Sequence, residues 1–328
     1  MKTGKVPESI LKRSVLKQIK KNKAEVIKGA AVGTDCAFVH MEGSLTGMGV
    51  ASAADEGIKT AAHAIYRASN NLAAEGIRAV AVTLHLMLPP QYEEADLKEL
   101  MKQAQTCADA LELQIAGGQT EVLPHLTGPV VSVSAIGTPM AGLQGDDGKQ
   151  RALTGSHIVM SKWTGISGTS LLANQKESKL KEQYPEYFVK AAQSLEQYYS
   201  VMGEAAVAVK SGVSFMHDVA GGGVFGALWE LGESLGSGLT VSLKKIPVKQ
   251  ETIEVCEFFD INPYELRSDG SLLMVAEDGY TLCDILIQAG IPATVIGEIT
   301  DSNDKIIMND DEKRFLEPPK GDELYKIL

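Results

Sequence analysis

Short apolar runs alternate with longer amphipathic segments in both halves of this chain. In the first half, the run AVAVTLHLML at 79–88 is typical of a buried strand, and residues 93–113 have helical spacing. The second half repeats the pattern, with strand-like runs at 239–248, 271–277 and 293–299 and helical segments at 251–259 and 279–290. This alternation predicts an α/β (α+β) architecture in which helices pack on sheets in layers.

The polar stretch LQGDDGKQRALTG at 143–155 separates the two halves. Its glycines and polar side chains favour a loop over a packed element. The length of 328 residues also favours two domains, at about 150 residues per domain. We therefore predict one domain at 1–148 and a second at 149–328.

An excess of carboxylates gives the chain a net charge of −11. This charge argues against nucleic acid or an anionic membrane surface as the main partner. No window approaches the ~18 consecutive apolar residues of a membrane span. The basic start has the spacing of an amphipathic helix, with Pro7 near its first turn, and lacks the apolar core of a signal peptide. These features predict a cytoplasmic protein that does not bind membranes.

The cysteines are scattered, and no two of them form a C-x-x-C pair. They are Cys36, Cys107, Cys256 and Cys283. This spacing favours reduced thiols over disulfides or a zinc site.

Four glycine-rich segments, which we call stations, place small residues beside polar side chains. They are GAAVGTDCAF with Asp35, RASNNLAAEG with Asn70 and Asn71, AGGQTEVLP with Gly117, Gly118, Gln119 and Thr120, and MHDVAGGGVFGALWELGESLG with Asp218, Gly221, Gly222 and Gly223. Because glycine lacks a side chain, it lets the backbone approach a ligand closely. In the third station we expect a turn at Gly117 and Gly118.

The fourth station follows the strand-like run at 212–216 and precedes a helical run with leucines at helical spacing. Its glycines are therefore expected on a strand-to-helix turn, where backbone N–H groups and the helix N-terminus can bind a phosphate. A carboxylate at Asp218 suits such a site if Mg²⁺ lies between it and the phosphate. The alternative is that the glycines only permit tight packing and that Asp218 caps the helix. Neither a P-loop nor a dinucleotide-binding fingerprint is present.

The stations, taken in order, resemble the PurM-like superfamily, which includes AIR (aminoimidazole ribonucleotide) synthase, selenophosphate synthetase, thiamin-monophosphate kinase and HypE. The segments GKVPESIL, VGTDCAFV, GGQTEVLPHLTGPVVSVSAIG and IPVKQETIEVCEFFDINPYEL are most similar to the HypE-like branch. The resemblance implies a homodimer of two-domain subunits. It also implies that ATP and Mg²⁺ bind in a cleft between the domains and that a carbonyl or amide oxygen is phosphorylated.

The resemblance also implies roles for matching residues. Asp35 and Asp218 keep the acidic positions of metal ligands. Nucleotide contacts are implied for Lys5, Asn71, Gly117, Gly118, Gln119, Thr120, Gly221, Gly222 and Gly223.

Several family positions are altered in this chain. Asn71 stands where the family has aspartate, and Ala51 stands where a second acidic residue is expected. Gln119 replaces a histidine. Because Mg²⁺ prefers charged oxygen ligands, these changes weaken the implied metal site unless Asp55 or Glu56 compensates.

Reactive cysteine chemistry in the HypE-like branch uses a terminal cysteine. This sequence ends PPKGDELYKIL, and its last cysteine, Cys283, falls on a predicted helix. Two hypotheses therefore stay open. The first is an ATP-dependent enzyme that phosphorylates an unknown small-molecule or protein substrate. The second is a catalytically degenerate homodimer that binds nucleotide or another protein.

Overall fold

The computed structural model describes residues 6–20, 23–54, 56–143, 153–318 and 321–328. The chain divides into two compact units, each with its own sheet. Unit A comprises Lys23–Gly29 and Asp35–Met140, and unit B comprises Met1–Asn22, Ala30–Thr34 and Ala141–Leu328. Both units combine helices with a sheet, so the predicted α/β (α+β) class is confirmed. The predicted boundary at 148 and 149 lies outside the described residues.

The first helical segment belongs to unit B. Helix α1 (Glu8–Ile10) continues as a π turn and a 3-10 turn to Gln18. Trp229 belongs to a later helix of the same unit, Gly223–Leu235, and its indole N–H donates to Glu8 Oε2 at 3.0 Å. This hydrogen bond attaches the predicted amphipathic segment to the body of unit B.

Unit A contains a six-stranded sheet in the order β1-β2-β3-β6-β4-β5. Its elements are β1 (Val26–Lys28), β2 (Ala37–Met41), β3 (Ser44–Ala54), α2 (Thr60–Ala74), β4 (Ile77–Leu88), α3 (Glu94–Ala110), β5 (Gln114–Val122) and β6 (Val130–Pro139). Neighbouring strands are antiparallel except β4 and β5, which are parallel. Strand β5 is the last strand in this order, so it lies at an edge of the sheet.

A hairpin joins β2 to β3 in unit A. The two turn residues, Glu42 and Gly43, have φ values of 50° and 86°. Two positive φ values in a two-residue loop are typical of a type I′ turn, whose twist matches that of the strands. The strand-like runs on either side of Gly43 and Ser44 predict a hairpin with its turn at those two residues, and the structure confirms the hairpin with the turn one residue earlier.

Helix α2 covers one face of the unit A sheet. Its buried face is built from small residues, which include Ala61, Ala64 and Ala68, so the helix lies close to the strands. A Cβ at Gly49 of β3 would lie only 2.9 Å from Leu72 Cδ1. A side chain at this position would therefore force Leu72 to shift where α2 crosses β3.

The opposite face of the same sheet is apolar and exposed. Along β3, side chains alternate between the two faces, as strand geometry requires. The exposed set on this face is Met48, Val50, Val80 and Ile136, each between 48% and 62% exposed. Met48 and Ile136 are paired across β3 and β6, so the apolar residues form one patch.

Unit B contains a seven-stranded sheet in the order β13-β12-β9-β11-β7-β10-β8. Its remaining elements are β7 (His157–Ser161), α4 (Ile166–Gln175), α5 (Glu177–Leu180), α6 (Glu186–Gln193), α7 (Met202–Lys210), β8 (Phe215–Val219), α8 (Gly223–Leu235), β9 (Gly238–Ser242), α9 (Gln250–Phe259), β10 (Ser271–Ala276), α10 (Gly279–Gln288), β11 (Ala293–Thr300), β12 (Lys305–Asn309) and β13 (Glu312–Phe315). The neighbouring strands are antiparallel except β9 and β12.

Two apolar clusters hold unit B together. The first packs α8 against the sheet and includes Val224, Leu228 and Leu231. The second lies among α4, α6 and α9 and receives Leu324 from the last described segment. Helix α4 is not predicted by the sequence, because its ISGTSLLANQ stretch is small and buried on nearly all sides, so it shows no amphipathic pattern.

Residues 187–212 have a helical composition with an expected break near Gly203, and the structure interrupts this stretch earlier. Helix α6 gives way to a 3-10 turn at Ser194–Tyr198, and α7 starts at Met202, before the expected break at Gly203. Among the residues that the structure describes, every helix is too short or too polar to cross a bilayer.

Candidate functional site

The fourth station joins β8 to α8 in unit B, as predicted. Strand β8 ends at Val219 and helix α8 begins at Gly223. Helix α8 has thirteen residues, so its N-terminus presents aligned peptide dipoles and backbone N–H groups. The expected strand-to-helix turn is therefore confirmed.

Two of the three glycines are required by the shape of this turn. Gly222 and Gly223 have φ values of 87° and 63°, which other residues adopt with difficulty. A Cβ on Gly223 would also lie 2.5 Å from the Tyr264 carbonyl oxygen. Gly221 has no such close contact, since its nearest neighbour would be Arg267 Nη2 at 3.6 Å. Packing explains two glycines and leaves Gly221 as the open position.

The turn receives a carboxylate from the chain itself. The N–H of Gly222 donates to Asp322 Oδ2 at 2.7 Å, and the N–H groups of Arg267 and Leu324 donate to Oδ1 at 3.2 and 2.9 Å. Burial raises the pKa of Asp322, and the Arg267 guanidinium and the backbone donors oppose this shift. The turn thus supplies a backbone N–H donor to an acidic side chain of unit B.

Sequence reasoning missed Asp322. The signal was present, because GDELYK places an aspartate directly before a short helix-forming stretch. In the structure Asp322 caps the 3-10 helix Glu323–Lys326.

Asp218 and its neighbour His217 are buried residues of β8, the strand at one edge of the unit B sheet. Asp218 is 7% exposed and pairs with Leu272 across β8 and β10. His217 Nε2 lies 3.1 Å from Glu230 Oε2 on α8. This contact gives His217 a carboxylate partner within unit B.

The first station is divided between the two units by the chain path. In unit B, a Cβ on Gly33 would overlap Ser234 Oγ, and that hydroxyl donates to the Gly33 carbonyl oxygen at 3.0 Å. Glycine is thus required where residues 30–34 cross α8.

Asp35 belongs to unit A, and its backbone N–H lies next to the buried ion pair between Glu75 and Lys28. Its N–H donates to Glu75 Oε1 at 3.3 Å, and Glu75 Oε2 lies 2.5 Å from Lys28 Nζ. Burial raises the pKa of Glu75, and Lys28 lowers it. The Asp35 side chain is half-buried, in a setting that already contains one carboxylate and one ammonium group.

The second station brings the two altered positions of unit A together. The Asn71 side-chain amide donates to the Val50 carbonyl oxygen at 3.5 Å, so α2 meets β3 next to Ala51. Asn70 is only 1% exposed and belongs to the packed interior. Asn71 and Ala51, the two positions where the resemblance implies carboxylates, are thus neighbours in the fold.

The third station is not a turn. Gly117 and Gly118 lie inside strand β5, with φ values of 152° and 153°, and the β4–β5 register shifts at this point. A Cβ on Gly118 would overlap the Leu84 carbonyl oxygen, whereas a Cβ on Gly117 would meet nothing within 4 Å. The predicted turn is wrong because the glycines serve a strand bulge.

The polar residues after these glycines line the edge strand. Gln119 and Thr120 are exposed and stand opposite His85 and Leu86 of β4. Glu121 Oε1 lies 2.5 Å from His85 Nε2.

Glu56 has buried partners of its own. Its Oε1 lies 2.9 Å from Arg67 Nη2, and its Oε2 contacts His63 Nδ1. A carboxylate that neutralises a buried arginine is poorly placed to replace a missing metal ligand. Asp55 and Lys5 lie outside the described residues.

The cysteines are free and buried. Burial raises the pKa of each thiol, to about 12 for Cys107 and Cys256 and about 11 for Cys283, with a rise for Cys36 as well. A buried thiol that keeps its proton is a weak nucleophile, as the sequence predicts for Cys283.

Family models match both halves of the chain. Residues 18–138 match the AIR synthase related protein, N-terminal domain, and residues 153–309 match the AIR synthase related protein, C-terminal domain. The chain belongs to the AIR synthase related family. The predicted PurM-like superfamily and its two-domain fold are thereby confirmed.

Members of this family with similar sequences bear HypE-type names. The chain is 25% identical over 268 residues to carbamoyl dehydratase HypE of Azotobacter vinelandii, covering 79% of this chain and 72% of that protein. It is 22% identical over 214 residues to carbamoyl dehydratase HypE of Bradyrhizobium diazoefficiens, covering 65% of this chain and 59% of that protein. The predicted likeness to the HypE-like branch is confirmed.

Solved structures with the same fold include HypE proteins. A chain of a HypE–HypF complex superposes with a TM-score of 0.75 at 20% identity, covering 94% of this chain and 99% of that one. HypE in complex with ATP superposes with a TM-score of 0.69 at 15% identity, covering 94% and 93%. At these identities the likeness establishes the family fold.

Proposed function

We propose that this protein is a HypE-like member of the AIR synthase related family that binds ATP with Mg²⁺. In this proposal it phosphorylates a carbonyl or amide oxygen of an unknown small-molecule or protein substrate. The observation that carries the proposal is the turn at 221–223. It follows a strand bearing Asp218, opens a thirteen-residue helix and donates a backbone N–H to a carboxylate oxygen. A fold neighbour, HypE, has been solved with ATP.

The donor set of unit B fits a nucleotide phosphate with a hard cation. Open backbone at Gly221 leaves room for a phosphate oxygen, and the α8 dipole favours negative charge. Asp218 offers carboxylate oxygens, the ligand type that Mg²⁺ prefers. We propose Asp218 and Asp35 as ion ligands, and the other station residues that the resemblance implies, from Lys5 to Gly223, as nucleotide contacts. The bound ion would neutralise charge on the transferred phosphoryl group.

The exposed apolar patch of unit A supports the proposed homodimer. Met48, Val50, Val80 and Ile136 lie on one sheet face, each between 48% and 62% exposed. A patch of this kind on a soluble protein is typical of an interaction site. A second copy of the chain is the partner we propose for it.

A second candidate function is nucleotide or protein binding without turnover. The observation that favours it is the pair Asn71 and Ala51, which puts two uncharged residues where the family resemblance implies carboxylates. Fewer negative ligands weaken Mg²⁺ binding and the charge neutralisation that phosphoryl transfer needs. Glu56 does not make up the difference, because it pairs with Arg67.

Titration calorimetry with ATP, with and without Mg²⁺, tests the proposal. The primary function predicts Mg²⁺-dependent binding that Asp218→Asn weakens by tenfold or more, because a carboxylate ligand is lost. Asp310→Asn is the matched control, since Asp310 is an exposed partner of Lys244 in unit B. Phosphate release then separates the candidates. Nucleotide binding without phosphate release supports the second candidate. If the protein binds no nucleotide, either as the wild type or when the contact between Asp322 and Gly222 is removed, both nucleotide proposals are wrong.

A further inference from the structure

The segment Gly321–Leu328, which we call the strap, lies on the glycine turn of unit B. Its Asp322 carboxylate accepts hydrogen bonds from Gly222 N–H at 2.7 Å and from Arg267 N–H at 3.2 Å. Backbone N–H groups of a glycine turn are the donors that bind phosphate oxygens in helix N-terminal sites. A carboxylate oxygen therefore occupies the acceptor position at Gly222.

The two residues that follow Asp322 anchor the strap. Leu324 is 2% exposed and packs with Leu171 and Leu266 in the second apolar cluster. Glu323 Oε2 accepts a hydrogen bond from the Asn262 N–H at 3.0 Å. These contacts hold the Asp322 carboxylate at the glycine turn by packing and hydrogen bonding, both of which are reversible.

Two anions cannot share the Gly222 donor. A phosphate oxygen placed there would meet the Asp322 carboxylate, and like charges in a buried setting repel strongly. Burial also disfavours the charged form of Asp322 and raises its pKa. Desolvation of this carboxylate therefore opposes closure of the strap, and departure of the strap relieves it.

We propose that the strap is an intrasteric inhibitor of the glycine turn. The Asp322 carboxylate and a phosphate group of the ligand compete for Gly222 N–H, so ligand binding requires that the strap leave. This inference rests on the proposed nucleotide function and adds a mode of regulation to it. The apparent affinity for nucleotide is then reduced by the fraction of molecules in which the strap is closed.

The competition predicts opposite effects on affinity and stability. Asp322→Asn keeps the size of the side chain but removes its charge, and Leu324→Val weakens the apolar anchor. Each variant should unfold at a lower urea concentration yet bind ATP with Mg²⁺ more tightly, by about five- to 150-fold, the usual range of coupling between sites. If the strap only supported the turn, the same substitutions would lower both the urea midpoint and the affinity for ATP.

Calorimetry on four proteins carries the test, with circular dichroism to confirm folding. The control is Asp278→Asn, because Asp278 caps α10 through Tyr280 and Thr281 N–H in the same way that Asp322 caps its own helix. Tighter binding by both strap variants, with the control unchanged, supports the inference. If the wild type binds ATP and Asp322→Asn binds equally or more weakly, the strap inference is wrong and the proposed function stands. If no variant binds ATP, both are wrong.

Hydrogen exchange of the wild-type protein gives a second readout that needs no variant. By reciprocity, ATP with Mg²⁺ should speed exchange in a peptide that covers the strap, including the Leu324 N–H. Unchanged or slower exchange at saturating ATP would overturn the inference.

Discussion

The side-chain amide of Asn71 lies 3.5 Å from the carbonyl oxygen of Val50, which ties α2 to β3 beside Ala51. Asn71 and Ala51, two of the residues that depart from the family pattern, thus lie at one crossing of a helix and a strand in unit A. Their substitution removes two negative charges from one location. The change is local, so it can be reversed locally.

Asn71→Asp restores one of these charges. If unit A contributes to a Mg²⁺–nucleotide site, we expect Mg²⁺-dependent ATP affinity to rise by about tenfold, which corresponds to ~1.4 kcal/mol. Calorimetry with and without Mg²⁺ measures the change. Asn174→Asp is a suitable control, because Asn174 on α4 also donates its amide to a backbone carbonyl oxygen. A gain that is equal in the absence of Mg²⁺ would contradict the metal role.

The two glycines of β5 should respond differently to alanine. Gly117→Ala places a Cβ in open space but forces an unfavourable φ, at a cost of about 1–3 kcal/mol. Gly118→Ala adds a clash with the Leu84 carbonyl oxygen, so we expect a larger loss of unfolding free energy. Urea denaturation measures both. Equal losses would mean that the bulge relaxes around either side chain.

Val50→Lys tests the apolar patch of unit A. If the patch is the homodimer interface, an unpaired ammonium group buried there costs several kcal/mol, and the dimer should dissociate. Light scattering after size-exclusion chromatography measures the mass. Gln105→Lys on the exposed side of α3 adds the same charge elsewhere and should leave the mass unchanged. A wild-type monomer at high concentration would rule out the dimer.

Cys107 should make stability fall at alkaline pH. Burial raises the pKa of its thiol from 9.0 to about 12, so the native state keeps a proton that the unfolded chain releases. The thiol therefore contributes its full stabilisation below pH ~9, and this contribution is lost as the pH rises towards 12. Urea midpoints between pH 8 and 10 should fall less steeply for Cys107→Ser than for the wild type. Parallel pH profiles would show that this thiol ionises freely in the folded protein.

Local sequence patterns predict much of this fold. The strand-like run VVSVSAIGTP at 130–139 coincides with β6. The glycines at 43 and 76 mark the β2–β3 hairpin and the end of α2, and both have a positive φ. Such features depend on residues that are close together in the chain, so they can be predicted from the local sequence.

Contacts between distant segments account for what the sequence does not predict. The glycines at 117 and 118 suggest a turn until β4 is placed beside them, because only then does the Leu84 carbonyl require them. Asp322 lies one hundred positions from Gly222, and no local pattern links them. The resemblance implies roles for particular glycines, but it does not reveal the acidic side chain that contacts Gly222.

The order of strands in unit B constrains how this part of the protein is made. Strand β7 lies between β10 and β11, whose residues follow it by more than a hundred positions. During translation, His157–Ser161 must leave the ribosome long before its partners at 271–276 and 293–300 exist. An apolar nascent strand is thus exposed for the interval in which those residues are synthesised, and chaperones have that interval in which to act.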